Sequence, residues 1–355
     1  MPRPVTGKRS SFLRPFEAAG LLAWAYLAGL ALWFAVSRAH GDTPGYFGVA
    51  TSLALYFFAP LPLVLLLAAA RRRRALLVAA LAGVALFGAL WGRLFLPRTP
   101  GAFAEASTLR VMTFNGLGTN EDLAAFVEAI RAENADVVLL QELSPGQARA
   151  LETELGDRYP HRILDPRVGV RGMGAVSRYP VHRLPDAFRS EWGCENQTLL
   201  VDFDGRRVHL VNFHLLPYPD DLLHAAALTR SFTRREREAA ELAAWVRSLP
   251  EGTPVILAGD ANASTTNRAW RLLTRDLDDA WLEAGSGLGH TFPDQEAEGR
   301  SVVRRLGFEP PSWLVRIDYV LYSPRWRAVR ARTAASAGGS DHRGVIAELA
   351  LADRS

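Results

Sequence analysis

The chain has 355 residues, a hydrophobic fraction of 49% and a formal net charge of +4, long enough for one large domain and a further segment. A single cysteine, Cys194, excludes an internal disulfide and a cysteine-based zinc site. The basic balance says nothing about nucleic acid, because it is confined to one end: residues 1–100 carry a net charge of +9 and residues 101–355 a net charge of −5. Such an asymmetry between halves points toward a membrane.

Three stretches near the start lack any charged residue: 18–37 (AAGLLAWAYLAGLALWFAVS), 46–70 (YFGVATSLALYFFAPLPLVLLLAAA) and 75–92 (ALLVAALAGVALFGALWG). About 20 apolar residues cross a hydrocarbon core, so the pattern predicts three transmembrane helices, the second kinked at Pro60 and Pro62. Three successive segments with almost no polar face disfavour a buried soluble core. A cleaved signal peptide at 1–39 is disfavoured by its long apolar region and by the two spans that follow. Arg3, Lys8, Arg9 and Arg14 precede the first stretch, and Arg71 to Arg74 form the whole connection between the second and third. Placing these basic segments in the cytoplasm sends the third helix outward, with Arg93 and Arg98 as the opposing signal. The expected division is a cytoplasmic segment 1–17, a three-helix transmembrane region 18–98, a linker 99–106 and a soluble domain 107–352. The chain thus reads as a multi-pass cell-membrane protein whose large domain is extracytoplasmic.

From Ser107 onward short apolar runs alternate with helical stretches. TLRVMTFN (108–115) predicts a strand, NEDLAAFVEAIRAEN a helix and ADVVLLQE (135–142) a second, buried strand. GMGAVSRYP (172–180), QTLLVDFDGRRVHLVNFHL (197–215), TPVILAGDAN (253–262), RIDYVLYSP (316–324) and HRGVIAELAL (342–351) add further strands, with a long helix in DDLLHAAALTRSFTRREREAAELAAWVRSL. Residues 293–312 read as a loop at the edge of a site. This mixture predicts an α/β (α+β) domain of two packed sheets covered by helices.

Polar, chemically useful residues recur where apolar strands begin or end: Asn115, Glu142, His214, Asp260, Asn262, Asp318, Asp341 and His342. Each alone has an ordinary explanation. Glu142 reads as a solvated strand terminus, Asn115 as a turn residue and His214 as a satisfied core histidine. Six such groups in order make coincidence a poor account, since a rigid scaffold presents a site on strand ends and loops.

The stretches TFN, LLQE, GAVSRYP, NFHL, GDAN, IDYVL and SDHRGV together resemble the motif series of the endonuclease/exonuclease/phosphatase superfamily, over about residues 107–352. The resemblance implies a four-layer sandwich of two β-sheets flanked by helices, preceded here by the three transmembrane helices. It also implies a divalent metal, magnesium with manganese as the alternative, and phosphoester hydrolysis. Glu142 would be the main ligand, assisted by Asn115 and Asp341. Asp260 would orient or deprotonate the attacking water and Asn262 would position it or the phosphate. Asp318 would pair with His342, and both His342 and His214 would donate to phosphoryl oxygens. The sequence departs from some relatives: Leu117 stands where an acidic ligand occurs, and Leu257-Ala258 and Ala263-Ser264 replace the residues of the inositol-phosphatase signature.

For the substrate, the lipid bilayer and a phosphorylated lipid or small molecule are the expected partners, with no obligatory protein partner. The architecture resembles the three-helix membrane phosphatases of glycopeptide resistance, which implies a lipid-linked pyrophosphate or similar envelope phosphate, with a phospholipid close behind. A membrane-tethered nuclease is the first alternative; the net charge of the soluble part weighs against it, because phosphate contacts dominate nucleic-acid affinity. A non-catalytic binding domain is the second, although it has no need for the intact set of carboxylates and histidines.

Overall fold

The computed structural model describes residues 15–96, 107–185, 187–188, 192–219, 221–294 and 312–351. The basic N-terminal residues, Arg98, the 99–106 linker and most of the 293–312 stretch lie outside these. The chain divides into two compact units, Met1–Ala39 with Leu55–Leu90, and His40–Ala54 with Trp91–Ser355.

The first unit is helical. It contains most of α1 (Pro15–His40), and after α2 (Gly45–Ser52) the chain returns to it through a 3-10 turn at Ala54–Phe58, then α3 (Leu61–Ala70) and α4 (Arg74–Trp91). Two helical stretches, Glu17–His40 and Arg74–Phe95, are long and apolar enough to cross a membrane, or three if Gly45–Ser52 and Ala54–Ala70 count as one bent span. Leu21, Leu22, Leu32, Leu63, Leu66 and Val78 are all more than half exposed, which suits helices that are apolar all round and face lipid. The bend in the second stretch lies ahead of its prolines. It measures 68° at the break between Ser52 and Ala54, and α2 belongs to the other unit.

The second unit is a sandwich of two six-stranded mixed sheets. Its elements are β1 (Thr108–Asn115), α5 (Leu123–Glu133), β2 (Val137–Gln141), α6 (Pro145–Leu155), β3 (His161–Asp165), β4 (Met173–Ser177), β5 (Val181–Arg183), β6 (Asn196–Phe203) and β7 (Arg206–His214). These are followed by α7 (Ala225–Ser248), β8 (Val255–Asp260), α8 (Arg268–Leu273), β9 (Asp278–Asp279), α9 (Ala280–Ala284), β10 (Asp318–Tyr322), β11 (Trp326–Thr333) and β12 (Val345–Leu351). The strand orders are β11-β12-β1-β2-β4-β3 and β5-β6-β7-β8-β10-β9, giving the expected two-sheet α/β sandwich. The alternating run WRAVRART forms β11, a strand not among those expected from the sequence.

Each sheet has one parallel pair at its centre, β1 with β2 and β7 with β8. Parallel neighbours end on the same side, so Asn115 stands beside Gln141 and His214 beside Asp260. β10 runs antiparallel to β8 with Asp318 opposite Asp260, and β12 starts where β1 ends, Val345 opposite Thr113. The strand-end residues therefore gather at one end of the sandwich.

Alternation along each strand decides which face they use. Met112, Phe114, Val138 and Leu140 pack with α5 and α6 residues such as Phe126, Ile130 and Leu151. Val211, Phe213, Val255 and Leu257 pack with Leu242 of α7 and Leu273 of α8. The opposite parity of β1, β2, β7 and β8, which includes Asn115, Gln141, His214 and Asp260, faces the other sheet. A buried polar bridge joins the two sheets below the site: Gln141 donates to Asn212 at 2.7 Å, and Asn212 donates to the Leu140 and Gly174 carbonyls and to Gln197.

α2 packs on this unit through small residues. A β-carbon at Gly45 would lie 2.4 Å from Leu228, and one at Gly48 would lie 2.7 Å from the Phe232 ring. Only glycine permits that approach to α7.

Candidate active site

Asn115, at the end of β1, crosses between the sheets. Its amide nitrogen donates to Glu142 Oε1 and to Asp260 Oδ2, each at 3.1 Å, while its Oδ1 accepts from the Leu117 N–H at 3.0 Å. Ligation of a metal by Asn115 requires its oxygen to face the ion, so as placed it organises the carboxylates as a donor. Glu142 follows Gln141 and by strand parity would face away. A left-handed backbone, φ 56°, turns it back, and its Oε2 accepts from the Gly118 N–H at 3.3 Å.

Asp260 is the centre of the cluster. Its Oδ1 accepts from the Asn262 backbone N–H at 2.8 Å. Its Oδ2 accepts from Asn115 and from the Asn262 side chain at 3.2 Å, and lies 3.5 Å from His214 Nε2 and 3.8 Å from His342 Nε2. Asn262 also adopts the left-handed region, φ 48°, which asparagine tolerates best after glycine.

His214 is fully buried, with Nδ1 3.2 Å from the Val170 carbonyl oxygen. Burial alone disfavours its charge, but Cys194, hydrogen-bonded to it, and the Asp260 and Glu142 carboxylates raise its pKa to about 10. Asn262 Nδ2 also lies 3.2 Å from Nε2, a contact that on its own would suit a neutral ring. Both amide hydrogens of Asn262 have oxygen acceptors, Leu215 O and Asp260 Oδ2. That leaves Nε2 free to donate to the carboxylates, and the imidazolium is the form that fits.

His342 is set by the turn that precedes β12. Gly338 and Gly339 adopt φ 58° and 80°, Ser340 Oγ donates to the Asn115 carbonyl at 2.7 Å and accepts the His342 N–H at 3.0 Å. His342 Nδ1 lies 3.0 Å from Asp318 Oδ2. Against the desolvation cost of burial, Asp318 and Asp260 raise the His342 pKa well above its ordinary value, so this pair is an imidazolium with a carboxylate. Asp341 interacts electrostatically with His342 and Glu142, and its pKa is pushed up to about 6, chiefly by burial.

All eight sequence-derived residues thus meet in one site. Two more were missed. Thr291 Oγ1 accepts from the Asp318 backbone N–H at 3.4 Å and hydrogen-bonds its carboxylate, and the Phe292 ring lies 4.9 Å from the His342 ring. Their signal was the His290-Thr291-Phe292 triplet in a segment with no strand pattern of its own.

Four carboxylates (Glu142, Asp260, Asp318 and Asp341) surround two histidines in a largely buried space, an excess of acidic over basic groups. A divalent cation with hard oxygen ligands matches that excess. Among the described residues, Asp260, Asp318 and His342 offer ligand atoms within 4.8 Å of one another. A His342 held as imidazolium by Asp318 is a poor ligand, whereas Glu142 retains lone pairs and partial exposure, so the Glu142 side suits an ion better.

A family model described as "Endonuclease/Exonuclease/phosphatase family" matches residues 112–342. The uncharacterized protein YbhP of Escherichia coli K12 is 28% identical over 192 residues, covering 47% of this chain and 70% of its own length. Among solved structures, truncated Caenorhabditis elegans TDP2 aligns with a TM-score of 0.53 at 18% identity, covering 69% of this chain and 98% of its own. D. rerio TDP2, complexed with a single-strand DNA product, aligns at 0.51 and 17% identity, covering 68% and 99%. These structural likenesses bear on the fold.

Proposed function

The chain belongs to the endonuclease/exonuclease/phosphatase family, whose enzymes are phosphoester hydrolases that use divalent metal ions, and we propose from that premise that it is a membrane-anchored, magnesium-dependent hydrolase of an extracytoplasmic lipid phosphate ester. The convergence of Asn115, Glu142, His214, Asp260, Asn262 and His342 around one carboxylate carries the catalytic part of the reading.

Magnesium would be held by Glu142 and Asp341, with Asn115 turned to offer its oxygen. When bound it would neutralise charge on the phosphoester oxygens. Asp260 is the group to orient the attacking water and accept its proton, with Asn262 fixing both. His342 Nε2, which Asp318 does not engage, would donate to phosphoryl oxygens on which charge develops, with Asp318 keeping His342 charged and oriented. His214, buried with Nδ1 on the Val170 carbonyl and Nε2 toward Asp260, would hold that carboxylate in place.

Anchoring is supported by the two or three candidate spans. Keeping the basic Arg71–Arg74 connection in the cytoplasm would send the candidate span that follows it outward, and the domain after it with it. A lipid substrate is favoured because tethering raises its effective concentration at the site.

The test uses full-length protein in proteoliposomes with magnesium, because residues 40–54 are part of the catalytic unit. Release of phosphate from a polyprenyl pyrophosphate, release of a phospholipid head group and nicking of supercoiled plasmid are compared, with Glu142→Gln as the blank. Lipid turnover at least 100-fold above the blank is expected. Plasmid nicking alone would identify a tethered nuclease, and no metal-dependent hydrolysis of any substrate would sink the enzymatic reading.

A further inference from the structure

The loop between β3 and β4 has an apolar tip on a fixed base. Its sequence is Arg167-Val168-Gly169-Val170-Arg171. Val168 is 90% exposed and Val170 40% exposed. The base is tied to the site: the Arg167 N–H donates to the Leu143 carbonyl and the Leu143 N–H to the Gly172 carbonyl, each at 3.0 Å. The Val170 carbonyl meets His214 Nδ1 at 3.2 Å. The Gly169 carbonyl lies so close to Gly118, whose N–H supports Glu142, that a β-carbon there would sit 2.6 Å from it.

Single exposed apolar residues are ordinary. Here two share one tip, arginines flank them on both sides, and the tip stands at the mouth of the site. Its place in the unit matters as much. The 40–54 segment, whose two ends continue into the apolar helices, meets the loops that leave β7 and β8 at their site ends. Ser52 Oγ lies 2.7 Å from the Tyr218 hydroxyl and donates to Asn267 Oδ1 at 2.9 Å, and Thr266 Oγ1 donates to the Thr51 carbonyl at 2.6 Å. The 40–54 segment therefore sits beside loops at the end of the unit that carries the active site, while the chain joins the unit again at Trp91.

We propose that residues 167–171 form a membrane-contacting lip of the active site, with Val168 and Val170 seated in the head-group region of the bilayer and Arg167 and Arg171 on lipid phosphates. Apolar side chains flanked by basic ones are the pattern that binds an anionic interface. Arg171 approaches Glu195 only at 3.9 Å, with both side chains more than half exposed, an ion pair too weak to hold it away from a phosphate. The lip deepens the lipid-phosphoester reading and rests on it: it would let the site meet a phosphate at the membrane surface without extracting the lipid.

The test is a depth measurement on the full-length protein in phosphatidylcholine–phosphatidylglycerol proteoliposomes. Val168→Cys is labelled with an environment-sensitive fluorophore; Cys194 is buried, so the unsubstituted chain should take little label. Glu152→Cys, exposed on α6, is the aqueous comparison. Quenching by a nitroxide-bearing lipid at least threefold greater at 168 than at 152 is expected. Equal quenching at the two positions overturns the lip even if lipid phosphoester hydrolysis is found. Selective quenching at 168 with no lipid turnover supports the lip while the substrate reading fails. With turnover in hand, Val168→Ser should lower by at least tenfold the ratio of rates on bilayer-held and water-soluble phosphoesters, and an unchanged ratio would deny the lip its part in substrate access.

Discussion

Glu142 illustrates how one backbone angle makes the site. Its left-handed conformation costs roughly 1–2 kcal/mol in a residue with a β-carbon, and it returns the carboxylate to the inter-sheet face that strand parity denies it. Asp341 shows a second opposition between stability and function. Its pKa of about 6 in the fold lies above the ordinary carboxylate range, near 4 when unfolded. The folded state therefore holds the proton more tightly, and metal-free stability falls as pH rises from about 4 through about 6. Asp341→Asn should raise the metal-free thermal midpoint at pH 7.5, by an amount corresponding to roughly 2–3 kcal/mol at most, and leave it unchanged at pH 4. The same substitution should weaken magnesium binding by calorimetry. Wild-type affinity should fall as pH drops below about 6, and a variant that binds as tightly as wild type would remove Asp341 from the ligand set.

At the scale of elements, the parallel pair β7–β8 sets the site because it fixes His214 beside Asp260. Gly259 permits that pairing at close range: a β-carbon there would lie 1.8 Å from the Phe213 carbonyl oxygen, in backbone that cannot give way alone. Gly259→Ala should cost roughly 1–3 kcal/mol of stability. By moving Asp260 relative to His214 it should also lower kcat by roughly 100-fold. Thermal unfolding and steady-state kinetics check both, and a variant with unchanged kcat would show that the spacing of these strands is not what positions the water. The 290–292 segment acts at the same scale, where Thr291 and Phe292 hold the Asp318–His342 pair from outside either sheet.

Across the whole molecule, a residue between two apolar helices helps complete the catalytic unit. The Asp42 carboxylate accepts the Arg268 N–H at 2.7 Å, which is the first residue of α8, and the N-cap residue Asn267 makes no side-chain cap of its own. The Asp42 N–H in turn donates to Glu236 of α7 at 3.0 Å. Asp42→Ala removes a helix cap supplied from 226 residues away in sequence. It should cost about 1–2 kcal/mol and lower the thermal midpoint of the full-length protein by about 2–4 °C per kcal/mol. An unaltered midpoint would show that the 40–54 segment adds nothing to the stability of this unit.

Local chemistry in the sequence determined much of this protein. Alternation and apolar runs identified most of the strands that build the site, the long uncharged stretches marked the candidate spans, and all eight strand-end residues fell in one cluster. Those features were legible because a side chain's face and a strand's end depend on near neighbours alone. The tertiary structure decided what no local pattern encodes. It turned Glu142 against its parity, brought Thr291 and Phe292 to the histidine, broke the second apolar stretch at Ser52–Ala54 and gave α2 to the catalytic unit. In each case the deciding contact joins residues far apart in sequence, so its energy exists only once the sheets and helices have packed.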